Sequence, residues 1–100
     1  MKKRRKKMVR DKEETELRED KFYEIRAPLR GIIWRIGNFE REDLKPGDVV
    51  EKGEEIANLE FMKMETPIYA PSRAQVIEIL VKRNQIVEEG QLLFILKSLE

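Results

Sequence analysis

The chain has 100 residues, 41% of them charged, yet its 21 Lys and Arg nearly cancel its 20 Asp and Glu to leave a net charge of +1. A length of this order holds one small domain with a modest core, and the balanced charge gives no field that would draw in nucleic acid or an acidic partner. Histidine and cysteine are both absent, which removes disulfides, thiolate nucleophiles, imidazole acid–base catalysis and the usual zinc and iron ligands.

Residues 1–21, MKKRRKKMVRDKEETELREDK, run from a basic block into an acidic-leaning one, with Met8, Val9 and Leu17 as their only apolar members. Such a segment cannot form a buried stripe, so it reads as a charged arm, disordered or helical, with a polybasic patch for RNA or an anionic membrane as the sharper reading. The basic start is not followed by the apolar stretch of a signal peptide, and no run reaches the roughly 20 apolar residues of a membrane span. A cytoplasmic location is expected on these grounds.

From Phe22 the pattern changes to short strand-like runs separated by Gly, Pro and polar residues: FYEIR, GIIWRI, DVV, EIANLEF, ETPIY, AQVIEILV, QIV and QLLFIL. Their length and punctuation predict an all-β sandwich or barrel over residues 22–97. The runs repeat. APLRGIIWRI from Ala27 aligns with APSRAQVIEI from Ala70, an offset of 43, and GDVVEKGEEIANL from Gly47 aligns with NQIVEEGQLLFIL from Asn84, an offset of 37. Two four-stranded halves related by a quasi-twofold axis are therefore predicted, packing into a flattened sandwich because neither half could bury its apolar face alone. The change of offset assigns about six extra residues to the first half, placed in a polar insert at about 37–46 that is expected to protrude. Arg30 and Arg73, equivalent in the repeat, are expected to pair with nearby acids.

The halves join at FMKMET, where a tight hairpin should carry Lys63 at or near its tip between Met62 and Met64. Methionine is flexible and adaptable, and it is common on surfaces that meet several partners. In an ordinary turn, the two methionines would simply tuck back onto the sandwich around a solvated lysine.

From Phe22 to Leu96 the chain resembles the biotinyl domain of biotin carboxyl carrier proteins. That family's motif is Glu-Ala-Met-Lys-Met, and here Glu60-Phe61-Met62-Lys63-Met64 stands in its place; Ala27, Pro28 and Gly31, the Lys52-Gly53 turn, Ala70-Pro71 and VEEGQLL are also similar. The resemblance implies a non-catalytic carrier, with biotin joined covalently to Lys63 by a biotin protein ligase. It further implies that Met62 and Met64 serve recognition and that Glu60 and Glu65 are secondary contacts. The implied partners are a biotin carboxylase and a carboxyltransferase. The insert at about 37–46 resembles the thumb of acetyl-CoA carboxylase carriers, which would place the chain in fatty acid biosynthesis. Phe61, Ala74, Asn84 and Gln85 depart from the family pattern, Phe61 by putting a bulky ring beside the lysine and Ala74 by replacing a usual turn glycine. A lipoyl-type carrier and an unmodified β-sandwich interaction module with a basic arm remain as alternatives.

Overall fold

The computed structural model describes residues 20–100; the charged arm, apart from its last two residues, lies outside them. Eight strands follow: β1 Phe22–Arg26, β2 Gly31–Ile36, β3 Val49–Val50, β4 Glu55–Phe61, β5 Met64–Tyr69, β6 Ala74–Ile79, β7 Ile86–Val87 and β8 Leu92–Ser98. They form two antiparallel sheets, in the orders β1-β8-β6-β3 and β5-β4-β2-β7. Advancing every strand of the first half by four turns one order into the other, so the quasi-twofold axis exchanges the two sheets. Each sheet draws two strands from each half, and the halves are interleaved rather than stacked one on the other.

The register carries the same symmetry. Ile33 faces Leu59 across β2 and β4, and Val76 faces Leu96 across β6 and β8; bulges follow at Ile33/Arg35 and at Val76/Glu78. A second pair of bulges sits at Glu55/Ala57 and at Ile25/Arg26. Bulges sharpen the local twist, and two matched sets of them curl both sheets alike around a common core. Ile33, Val50, Ile56, Leu59, Val76, Val87, Leu93, Phe94 and Leu96 are fully buried there. At the start of β2 and β6 buried positions alternate with more open ones, the period-two pattern of strands that are wet on one side, whereas Ile56–Leu59 in β4 and Leu93–Phe94 in β8 are buried in succession beside the bulges.

The turns repeat as well. Gly47 and Asn84 both take a positive φ, 99° and 70°, and their amides donate to the Val76 and Ile33 carbonyls. Asn84 fills a position that its partner half gives to glycine, as asparagine's tolerance of left-handed backbone allows. Arg73 pairs with Glu51 at 3.3 Å and Arg30 with Glu88 at 3.4 Å, the same bridge in each half. Ala74 is not in a turn: it is the buried first residue of β6, paired with Val50 and Ser98.

Symmetry fails at the insert, where Phe39, Glu40, Glu42 and Asp43 are exposed while other residues fasten the segment to the sandwich. Gly37 bridges back to Glu42, and Leu44 is buried in the core. Asn38 donates to the Glu55 carbonyl at 2.8 Å, and Arg41 binds the Glu54 carboxylate at 2.9 Å. Gly37 is required for this geometry, since its φ is +104° and a Cβ would collide with the Arg41 carbonyl oxygen. The insert also covers a buried charge: the Arg35 guanidinium lies 4.5 Å from the Trp34 ring and 4.1 Å from Phe39, with Glu55 3.4 Å away. In the other half Arg35 is replaced by exposed Glu78, which needs no cover.

Candidate functional site

The chain passes from β4 to β5 through the two residues Met62 and Lys63, closed by the Phe61–Met64 pair. Both turn residues are left-handed, with φ of 53° and 66°. Positive φ at both central positions defines the turn whose twist matches that of a β-hairpin, one normally made from Asn-Gly or Gly-Gly. A side chain with Cβ in this region costs about 1–2 kcal/mol per residue, so the sequence accepts strain here in order to place Met62 and Lys63 at the apex. The lysine is exposed, and the flanking methionines are 78% and 72% exposed. The methionines therefore do not tuck back onto the sandwich. Among the described residues, no ion pair involves Lys63.

The strands that hold the turn are anchored in the core through Leu59 and Ile68. On the outer face Glu60 and Glu65 lie opposite one another, and like charges so placed repel, so they contribute a local negative field beside the lysine and no cohesion. The Phe61 ring is 46% exposed and rests at the end of the sheet, lining a shallow depression with Arg30, Gly31, Ile32 and Ile86. Gly31 permits this close approach: a Cβ there would meet the Glu60 carbonyl oxygen at 2.9 Å and the Phe61 Cβ at 3.6 Å. Phe61 thus leaves the lysine uncovered. Sequence reasoning missed Ile32 and Ile86, although each is an apolar residue that strand alternation turns outward.

The insert is not brought to the lysine. Gly37 bonds the Ile56 carbonyl, six residues along β4 from Met62, or about 20 Å at roughly 3.3 Å per residue. Three of the sequence-derived site residues, Met62, Lys63 and Met64, are contiguous at one apex, while the thumb-like segment lies toward the opposite end of the sheet.

A symmetric sandwich whose central two-residue turn holds an exposed lysine at its apex has the architecture of an attachment domain, built to present one side chain. Residues 23–96 match the family described as biotin-requiring enzyme. The chain belongs to that family, as a biotinyl domain, and biotin is the family's cofactor. It is 44% identical over 74 residues to the biotin/lipoyl attachment protein of Bacillus subtilis, covering 74% of this chain and 93% of that protein. It is 38% identical over 63 residues to the dihydrolipoyllysine-residue acetyltransferase component of the acetoin cleaving system of the same organism, covering 63% of this chain and 16% of that one. Identity to the biotin carboxyl carrier protein of acetyl-CoA carboxylase of Streptococcus pyogenes is 30% over 68 residues, covering 67% and 41%. In fold it is similar to part of a single-chain, multi-domain long-chain acyl-CoA carboxylase, with a TM-score of 0.68 at 24% identity over 79% of this chain and 7% of that one.

Among the described residues, no helix is long and apolar enough to cross a membrane, and no group of His, Cys, Asp or Glu is arranged to hold a metal.

Proposed function

We propose that the domain is a biotin carboxyl carrier in which the Lys63 amine is the attachment point. The observation that carries this reading is the strained Met62-Lys63 turn, which holds an exposed lysine at its apex between two exposed methionines. The residues fit the group. An amide-linked biotin needs a lysine that a ligase can approach from outside, and Glu60, Met62, Met64 and Glu65 surround the amine with contacts that such an enzyme can read. When bound, biotin supplies a ring nitrogen able to take a carboxyl group from one active site to another.

The protein's own part is positional. Met62 and Met64 offer apolar, adaptable surface to a ligase and then to a biotin carboxylase and a carboxyltransferase. The rigid hairpin fixes the point from which the arm swings, and tethering keeps the cofactor at high local concentration near each site. No side chain here needs to move a proton during the transfer. The finer assignment, a non-catalytic subunit of a multi-subunit, cytoplasmic acetyl-CoA carboxylase, is supported by the likeness to the streptococcal carrier. The insert adds nothing to it, because its place in the fold separates it from Lys63. A lipoyl load is the second reading, favoured by the likeness to the acetoin-system component; methionine on both sides of the lysine favours biotin.

Protein isolated from its native cell is expected to be retained on avidin and to show one biotinyl group by intact mass, located on the peptide containing Lys63. Lys63→Arg is expected to abolish retention. Retention of that variant would place the label elsewhere, and a lipoyl mass on Lys63 would replace biotin as the load.

A further inference from the structure

Beside the turn, the depression lined by Arg30, Gly31, Ile32, Phe61 and Ile86 has a volume of about 260 Å³. Attachment at Lys63 makes no use of it. We infer that it is a resting site for the bicyclic ring of the domain's own biotinyl group, a conclusion that rests on the attachment reading above.

The walls have the right chemistry. Phe61, Ile32 and Ile86 are 46%, 42% and 59% exposed, and they stand on the adjacent strands β4, β2 and β7, so the sheet ladder holds their spacing. Gly31 contributes no side chain and leaves the floor bare. At the rim, Arg30 engages Glu88 through Nε at 3.4 Å. Its terminal nitrogens can donate to the ureido carbonyl oxygen of a ring lying on Phe61. The size also agrees: pockets that take drug-sized ligands run about 300–1,000 Å³, and the biotin ring system is smaller than such ligands.

Tethering supplies what a shallow site lacks. Phe61 and Met64 flank a β-turn, which brings their Cα atoms within about 7 Å, and the arm that starts at Lys63 is long and flexible enough to fold back over Phe61. A short flexible tether gives an effective concentration of about a millimolar or more. A site with only millimolar intrinsic affinity is then about half occupied, and a partner active site that binds the ring more tightly withdraws it. Phe61, the residue that departs most from the family motif, becomes the surface on which the ring rests between visits.

The test uses the full chain with ¹³C-labelled isoleucine methyl groups, before and after enzymatic biotinylation, with intact mass recording whether Lys63 is loaded. Loading is expected to shift the Ile32 and Ile86 methyl resonances and to give nuclear Overhauser contacts between the ring and Phe61. In loaded F61A those shifts are expected to fall at least threefold, with Trp34 fluorescence confirming that the variant is folded. Loaded protein whose Ile32 and Ile86 resonances coincide with those of the unloaded chain would overturn the resting site and leave the attachment intact. Biotin methylamide titrated to millimolar concentration into the unloaded chain decides the matter independently. Shifts at the same methyls support the site even if Lys63 proves unmodified, and their absence counts against it.

Discussion

At the scale of single residues, the Met62-Lys63 turn trades stability for presentation. Met62 and Lys63 both have positive φ, where a side chain is disfavoured by about 1–2 kcal/mol. Glycine at Met62 would relieve that cost while adding about 0.5–1 kcal/mol of unfolded-state entropy, a net gain of roughly 0.5–1 kcal/mol. Met62→Gly is therefore expected to raise Tm by roughly 4 °C in a domain of this size, measured by thermal melting, while making the chain a poorer ligase substrate. A Tm that stays put or falls would mean the turn is unstrained. The lysine and its methionines were legible in the sequence because the three are contiguous. The depression beside them was not, since Ile32, Phe61 and Ile86 come from three strands and meet only once the sheet is assembled.

At the scale of elements, the insert is a clamped loop whose clamp responds to pH. Burial pushes the Glu54 carboxyl up, but the Glu51 amide, the Arg41 guanidinium and the Asn38 side chain outweigh it and hold the group below its ordinary value of 4.5. A carboxylate with a depressed folded value contributes stability that is complete above its unfolded pKa and lost as pH falls through the folded one. The unfolding free energy from urea titration is thus expected to decline below about pH 4.5, and Glu54→Gln to flatten part of that decline. Wild-type and Glu54→Gln profiles that differ only by a constant would sink the idea. The sequence located the insert through the change in repeat offset but did not show how it is held. Asn38, Arg41 and Leu44 read as part of a polar loop, and only the fold brings the first two to Glu54 and Glu55 and the third into the core.

At the scale of the whole molecule, the two halves should share the load of stability. Leu59 and Leu96 occupy equivalent, fully buried positions facing Ile33 and Val76. Leu59→Ala and Leu96→Ala are each expected to cost about 2–5 kcal/mol, a large share of the 5–15 kcal/mol typical of a small domain, and to do so by similar amounts in chemical denaturation. A severe loss in one variant with little change in the other would show that the symmetry of the backbone does not extend to the energetics. Because each sheet takes strands from both halves, either substitution is expected to unfold the domain in a single transition rather than to release one half.

The sequence by itself determined the strand pattern, the two-half repeat, the equivalence of Arg30 and Arg73 and the lysine at the join. All of these follow from local periodicity, turn residues or contiguous motifs, which act over a few residues. Only the tertiary structure decided that the halves interleave, that the insert lies far from Lys63, that Arg35 is buried between Trp34 and Phe39, and that an apolar hollow opens beside the Met62-Lys63 turn. Each of these depends on residues distant in the chain meeting across a sheet, and residue spacing along a sequence does not encode those distances.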